Sequence, residues 1–532
     1  MLRDLDLLTS HTFDLLIVGG GIHGLMAAWD ASTRGLHVAL IERHDFGSAA
    51  SFHHHRTLHG GLRYLQTANV PRLRQSARER RTWARMAPHL IERQMFAVQA
   101  GGPGGRSAAL LRAGFALDAA LTLDRNRDVP DHLQLPAGRI VEGQDRAGLD
   151  TGDLVADGPL GVWHDYRTAH AERLTFAVAI AAARAGAVLA NYVDAIEPIR
   201  QGRTIAGVTA RDHVDGAALS ISARVLLNTT GAGAGRLMGA FGVRKAPRLV
   251  KAMNLVTRRP APLVACGAPT AAGRLLFALP WQEHLAIGTW HGSTPCGADA
   301  AMVTPDEFGA LLAEVNQAFP SLRLTPQDVT LVQRGVVPAK GFGQHVTLAD
   351  RPLLREHRHD GADGAITLMG VKYTTARAMA EQAVTLVTAQ LGRHAPPKTA
   401  SLQLPGHEPT GAPPPVTGLD QAAWDHLQRV YGDQAPRIAA LVRDSPMLGQ
   451  RLVDRLPIVG AQIVEAARNE MALTLEDIVL RRTGLGSASY PGDAAILKVE
   501  AIARDELGWN SSRVQDEIQG LREFYLPVHV AE

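Results

Sequence analysis

Residues 13–24 read Phe13-Asp14-Leu15-Leu16-Ile17-Val18-Gly19-Gly20-Gly21-Ile22-His23-Gly24, and their order decides the fold. Phe13 to Val18 is a short apolar run of the kind a buried parallel strand needs. Glycines follow at once, and Leu25 to Thr33 continues with helical periodicity. Gly19 permits the tight turn, Gly21 lets the backbone approach a pyrophosphate, and Gly24 allows the helix to pack closely on the strand. Phosphate oxygens can then sit at a helix N-terminus, where free N–H groups and the dipole favour anions. A second strand, Val38 to Ile41, ends in Glu42, at the separation where a carboxylate accepts hydrogen bonds from ribose hydroxyls. A glycine triplet alone is often an ordinary loop; strand, helix and carboxylate together argue for a dinucleotide grip. The carboxylate also argues against NADP, whose extra phosphate it would repel.

With 532 residues the chain is long enough for two or three domains, and 46% hydrophobic with 20% charged residues is a globular composition. A net charge of +3 gives no case for nucleic acid. Arginine is dense between Arg72 and Arg93, a segment that reads as one helix, with either a solvated face or an affinity for an anionic membrane or acidic partner. Cys266 and Cys296 are the two cysteines, so neither a disulfide framework nor a zinc cluster is expected; no metal site is assigned, and a reducing compartment fits. Met1 to Ser10 carries two aspartates and no long apolar core, unlike an ordinary secretion signal. The richest apolar window, Leu174 to Leu189, is broken by Arg184 and Gly186, so no membrane span is expected, while a seat on a membrane surface stays open.

Further along, Leu174 to Ala185 reads as a helix and Val188 to Val193 as a strand, and Arg203 to Arg211 with Leu219 to Ala223 alternates like a hairpin. Val225 to Thr230 is a buried strand running into Thr230-Gly231-Ala232-Gly233, either a plain connection or a second place where bare backbone approaches a ligand. Arg248 to His291 is strand-rich, with Arg274 to Ala278 and His284 to Thr289 bracketing Leu279-Pro280-Trp281. A helix, Pro305 to Ala318, and a strand, Val329 to Val336, follow. Ala365 to Met369 is an apolar strand ending in Gly370-Val371-Lys372-Tyr373-Thr374-Thr375, with a helix to about Leu391. Ala395 to Gly418, with Pro413 to Pro415, reads as a linker, and residues 420–525 as helices.

In this order, Gly19 to Gly24, His59-Gly60-Gly61-Leu62-Arg63-Tyr64-Leu65, Met86-Ala87-Pro88-His89-Leu90, Leu279-Pro280-Trp281, Gly370 to Arg377, Thr474-Leu475-Glu476-Asp477 and Arg481-Arg482-Thr483 resemble the FAD-dependent glycerol-3-phosphate dehydrogenases, within the DAO-type flavin oxidoreductases. The resemblance implies an α/β fold: a Rossmann-like FAD-binding domain interleaved with a β-rich (α+β) substrate domain over residues 1–394, a linker at 395–418, and a C-terminal helical cap at 419–532. It implies FAD, with Gly19, Gly21, Gly24 and Glu42 on the ADP half, Val193 meeting adenine through its backbone, Gly231 near the pyrophosphate and Lys372 near the flavin. Ser48, Ser51, His53 and Gly370 complete that set. The implied reaction is oxidation of a secondary alcohol of glycerol 3-phosphate, or of a related small anionic polyol, by hydride transfer to flavin N5, with quinone or oxygen taking the electrons. The implied setting is cytoplasmic, with a peripheral seat on the inner face of the cytoplasmic membrane, and a homodimer is a candidate state. Such chemistry asks for a base and for cations around a phosphate. Arg63, Arg351 and Lys372 match family positions near substrate, each also a candidate structural ion pair, and His59 is either base or packing residue.

Three departures stand out. Ser51-Phe52-His53-His54-His55-Arg56 replaces a serine-rich stretch ending in lysine; Gly335-Val336-Val337-Pro338 has valine where the family has a phosphate-binding arginine, which Arg334 or Lys340 could replace; and Gly288-Thr289-Trp290-His291 replaces Gly-Thr-Thr-Asp, making Trp290 and His291 candidates for reshaping the pocket. Losing an arginine fork costs a bound phosphate about 2 kcal/mol or more, so an altered anionic alcohol is the expectation. Ala50-Ser51-Phe52-His53 is also similar to the segment of dimethylglycine dehydrogenase relatives in which a histidine is bonded to the flavin. The alternative is histidines that hydrogen-bond flavin or substrate, and flavin released freely by acid would decide for it. A metal site on the triplet is disfavoured, because neighbours on an extended segment point apart. Competing readings are an amine-oxidising flavoprotein, against which Arg63 and Lys372 argue, a flavin-binding protein without turnover, and a tRNA-modifying flavoprotein, against which the modest charge argues.

Overall fold

The structure, a computed structural model, describes residues 1–101, 107–408 and 416–525. The prolines at 413–415 lie outside the described residues. Strand Thr12–Val18 is buried from Phe13 onward and forms the middle of an eight-stranded sheet, paired in parallel with Val38–Ile41 on one side and Ala218–Asn228 on the other. Val188–Ala190 and Ala365–Met369 extend the parallel part outward. Helices Ile22–Thr33, Ala171–Arg184 and Ala376–Gln390 carry alanine and valine on their packed faces and are buried along most of their length, as a helix layer covering a parallel sheet must be.

A second, ten-stranded sheet is antiparallel except where Ala265–Pro269 runs parallel to Ile91–Gln99. Its strands Leu249–Thr257, Leu275–Trp281, His284–His291 and Val329–Phe342 enclose a separate core with helix Pro305–Ala318. Residues 416–525 form helices and one short hairpin, Arg451–Val453 with Leu456–Val459. This is the expected fold class: a dinucleotide-binding sheet, a β-rich companion and a helical cap.

Several local readings change. The arginine-rich helix spans Val70–Met86 and stops before Pro88, so Arg93 lies in a strand. Its face is paired rather than solvated, since Arg74 and Arg81 meet Asp124 and Arg80 meets Asp165. Val188 to Val193 breaks at Tyr192, whose φ of 58° ends one strand before the next begins at Val193. Leu279-Pro280-Trp281 ends a strand, where Pro280 pairs with Leu285 on one side and lies past Ala278, the last residue paired with Ala265–Pro269 on the other. In the segment read as a linker, Thr399 donates to Asp30 and Leu404 is fully buried, so that stretch is seated on the nucleotide-binding layer.

The cap is tied to the first domain by one buried charge cluster. Asp45, three residues past Glu42, accepts from Arg481 Nε and from both Nη atoms of Arg482, each at 2.7 Å. Both arginines reach it because the chain there winds with a wide turn, Thr483 N–H donating to the Ile478 carbonyl five residues back. Arg481 also donates to Asp477, so two cations face two anions, and Arg482 lies 4.0 Å over the Phe176 ring. Burial works against an ionised Asp45, yet the charges of Arg482 and Arg481 outweigh it and hold its pKa down to about 2. A depressed pKa contributes stability that is complete above the ordinary carboxylate value and is lost as pH falls through the folded one. Stability therefore falls between about pH 4 and pH 2. Asp45→Asn leaves two buried cations short of a partner and is expected to cost about 3–5 kcal/mol. Equilibrium unfolding followed by circular dichroism checks both, and an Asn variant as stable as the parent would contradict the assignment.

Candidate active site

The site starts where the first strand ends. Gly19 turns at φ 110°, and a Cβ there would come within 2.7 Å of the Thr229 carbonyl; one on Gly24 would collide with the Gly19 carbonyl itself. Only bare backbone lets the helix approach this closely, and the approach aims its first N–H groups at the turn. Ile22 N–H donates to Ser51 Oγ at 2.9 Å, so Ser51 covers the helix N-terminus, and Gly21 faces the same hydroxyl. Glu42 accepts from Gly20 N–H at 2.6 Å and His44 N–H at 2.9 Å. Burial raises its pKa, with these two donors opposing.

Val193 is buried, and its N–H already donates to the Glu42 carbonyl. Gly231 opens a short turn at φ 57° with free space where a side chain would be. Ser48 is half-buried beside Phe46 and Gly47 on the same connection. Gly370 lies against the His23 ring, which a Cβ there would strike. His23 was not singled out in the sequence, although it occupies a variable position of the glycine motif. Its Nε2 is buried without a partner among the described residues, and burial brings its pKa down to about 4.

The histidine triplet lies on a turn rather than an extended segment, His53 N–H returning to the Ala49 carbonyl. The three rings still diverge. His53 stacks on Phe524 of the cap at 5.8 Å, His54 on Tyr373 at 4.3 Å, and His55 Nε2 lies 3.4 Å from the Ala286 carbonyl. Burial drives all three toward the neutral form, His54 and His55 to about 3. Arg56 leaves the site: it is buried over Trp281 at 3.7 Å and paired with Glu172 at 2.6 Å. Among the described residues no cluster of three metal-ligating side chains is present.

His59 Nδ1 is 3.2 Å from Asp165 Oδ2, and its side chain remains 42% exposed, so the other ring nitrogen is reachable. Arg63 and Tyr64 share the short helix that follows, and Lys372 Nζ lies 4.2 Å over the Tyr64 ring. Arg63 is exposed, within electrostatic reach of His291, whose pKa burial lowers. Among the described residues neither Arg63 nor Lys372 has a carboxylate partner, nor does exposed Arg351. Arg351 follows Asp350, which pairs with Lys340 at 3.1 Å and feels the charge of Arg72, itself 5.5 Å over Tyr64.

Of the two expected substitutes for the missing arginine, Lys340 pairs with Asp350, whereas Arg334 donates to the Phe524 carbonyl at 3.2 Å, close enough for its charge to act on His53; Val337 is half-buried on a strand whose Gly335 faces Ala50. Trp290 does not reshape the pocket, for it is 8% exposed in the core of the second sheet. His291 ends that strand, its Nδ1 2.9 Å from the Gly292 carbonyl.

A glycine-turned helix N-terminus, a carboxylate at the next strand end, and buried ring nitrogens without partners on His23, His53 and His54 suit a dinucleotide carrying a polar ring system. That is the site of an FAD-dependent oxidoreductase. A model described as FAD dependent oxidoreductase matches residues 14–386, and one for the C-terminal domain of alpha-glycerophosphate oxidase matches residues 365–514. The chain is 30% identical to the glycerol-3-phosphate dehydrogenase of Synechocystis sp., covering 98% of each. It is 31% identical to glycerol-3-phosphate dehydrogenase 1 of Mycobacterium tuberculosis, over 93% of this chain and 94% of that one. Its fold matches the glycerol-3-phosphate dehydrogenase from Bacillus halodurans complexed with FAD at a TM-score of 0.74 and 22% identity, covering 99% and 97%. The chain belongs to the FAD-dependent glycerol-3-phosphate dehydrogenase family.

Gly24→Ala is expected to abolish FAD retention, because the added methyl meets backbone that cannot yield. The ratio of flavin to protein absorbance in the purified variant checks it; a stoichiometric value would contradict the placement.

Proposed function

We propose that the chain oxidises the secondary alcohol of a small anionic polyol, glycerol 3-phosphate or a close relative of it, at the mouth between the His59 to Tyr64 segment and Lys372. The observation that carries this reading is the pair Arg63, next to Tyr64 on the same short helix, and Lys372, over the Tyr64 ring, cations with no carboxylate partner among the described residues. Unpaired cations beside a reachable imidazole suit an anionic substrate whose hydroxyl must lose a proton. Relatives named as glycerol-3-phosphate dehydrogenases support the phosphate. Val337, where the family has an arginine, supports an altered phosphate grip and hence a shifted preference among polyol phosphates.

Bound FAD would supply the two-electron acceptor for the hydrogen leaving the carbinol carbon. Gly19, Gly21, Gly24, Ser51 and Glu42 would hold its adenine-dinucleotide part, and the neutral rings of His53 and His54 would line the redox end. Arg63 and Lys372 bind and orient the anion, and His59 takes the hydroxyl proton at Nε2. A quinone or oxygen then receives the electrons. Leu110, Leu117 and Leu123, which are 55%, 48% and 86% exposed on and after helix Ala108–Leu121, favour a lipid-borne quinone reached from a membrane surface.

Anaerobic bleaching of the bound flavin tests this. Polyol phosphates are expected to bleach it, while glycerol and amino acids do not, and a soluble quinone is expected to restore the colour faster than oxygen. Arg63→Ala or Lys372→Ala should each raise the KM by roughly 30-fold, the equivalent of about 2 kcal/mol, with a smaller effect on kcat. Bleaching by an amino acid, or by glycerol as readily as by its phosphate, would overturn the reading.

A further inference from the structure

We propose that Asp165 is the positioning residue of this site: it accepts a hydrogen bond from the Nδ1–H of His59 and so fixes the tautomer whose Nε2 lone pair is free to accept the substrate's hydroxyl proton. The inference rests on the reading of His59 as the base. Asp165 lies inside strand Leu160–Thr168, with its side chain 4% exposed. Its Oδ1 accepts from Gly60 N–H at 2.8 Å and from Arg80; its Oδ2 faces His59 Nδ1 at 3.2 Å and Trp163 Nε1 at 3.3 Å. Gly60 N–H, Arg80 and Trp163 Nε1 can only donate, and the ionised carboxylate they surround can only accept, so the ring nitrogen facing it carries the hydrogen.

The ring has little freedom to leave this arrangement. Phe96 and Phe277 lie against it with centroids at 5.8 and 6.3 Å, and Gly60, the next residue, is held by the same carboxylate. The charged and titratable groups around the pair come from every neighbouring element. Arg80 stands on helix Val70–Met86, Asp118 and Arg125 on and after helix Ala108–Leu121, His164 beside Asp165, Arg93 on strand Ile91–Gln99, and His55 on the turn before. Behind the imidazole, Arg80 and Arg125 therefore balance Asp118 and Asp165. Burial would raise the Asp165 pKa, but the Arg80 charge and the His59 contact outweigh it and bring it down to about 2. The carboxylate thus stays ionised at every pH at which the enzyme could work.

In the step itself the substrate O–H bond breaks and its proton passes to Nε2, while the carbinol C–H bond breaks and its hydrogen leaves with both electrons, for which bound FAD would be the acceptor, so that the carbonyl forms. His59 becomes a cation facing Asp165, which keeps no proton of its own. The pairing selects one nitrogen beforehand and stabilises the charge that appears on the ring.

The test compares FAD-loaded wild type with Asp165→Asn. An asparagine amide donates to Nδ1 as readily as it accepts, which moves the hydrogen to Nε2 and blocks the base. With glycerol 3-phosphate as substrate, kcat is expected to fall about 100-fold or more while the KM changes little. In a His59→Gln background the same change should cost nothing further. A second readout needs no turnover: diethylpyrocarbonate acylation of His59, followed by peptide mass spectrometry against pH. The curve is expected to move to lower pH in Asp165→Asn, because the imidazolium has lost its anion. Wild-type flavin that glycerol 3-phosphate does not bleach would count against the substrate reading and leave this second comparison standing. An unmoved acylation curve, or a kcat loss that is equally large in the His59→Gln background, would overturn the proposal. Should the Asn variant not accumulate, Asp165→Glu keeps the charge; it is expected to retain the wild-type curve, and a displaced one would overturn the proposal.

Discussion

The contact between the nucleotide helix and the end of the first strand governs the rest of the molecule. Gly24 can lie against the Gly19 carbonyl only because it carries no side chain, and a methyl there would push helix and strand apart, while one on Gly19 would strike the Thr229 backbone just after the neighbouring strand. From that approach follow the direction of the helix N-terminus, the seat of Ser51 over it, and the reach of Glu42 back to the Gly20 N–H. The histidine turn starts at Ser51, so the position of that turn, which is the redox end in the proposed reading, is also inherited from the two glycines.

A second constraint holds the cap. Asp45 follows the strand that ends in Glu42, and the arginines that close on it come from more than four hundred residues later in the chain. Burying four charges is costly, and apolar residues of the same size could serve stability as well or better. What the charged set adds is direction: a fork of arginine donors accepts one carboxylate geometry, and this fixes the cap over the dinucleotide side rather than merely attaching it. Phe524 of the cap then reaches His53, so the cap contributes a wall to the site. Around that wall burial keeps the histidines neutral, with Arg334 against Phe524 as a half-buried cation beside His53, while Arg63, without a carboxylate partner among the described residues, is exposed.

The elements with strong local signals were legible in the sequence. The first strand, the glycine turn, helix Pro305–Ala318 and strand Ala365–Met369 fall where periodicity and punctuation put them, because each is buried or capped by its own residues. What was not legible depends on partners far away in sequence. Nothing near Arg80 announces Asp165, so a paired face read as solvated. Nothing near Trp290 announces that its strand turns it into the core of the second sheet. Arg56 looked like part of the histidine segment until Glu172 and Trp281 claimed it. His23 and Asp165 escaped for the same reason: one lies in a variable position of a familiar motif, and the other is a single aspartate in a strand.

A crystal structure of the FAD-loaded protein with a non-reacting phosphorylated analogue of the substrate tests the account most directly. It predicts a phosphate held between Arg63 and Lys372, and a carbinol oxygen about 3 Å from His59 Nε2 while Nδ1 remains on Asp165. A phosphate bound elsewhere, or a His59 ring turned away from the analogue, would contradict it.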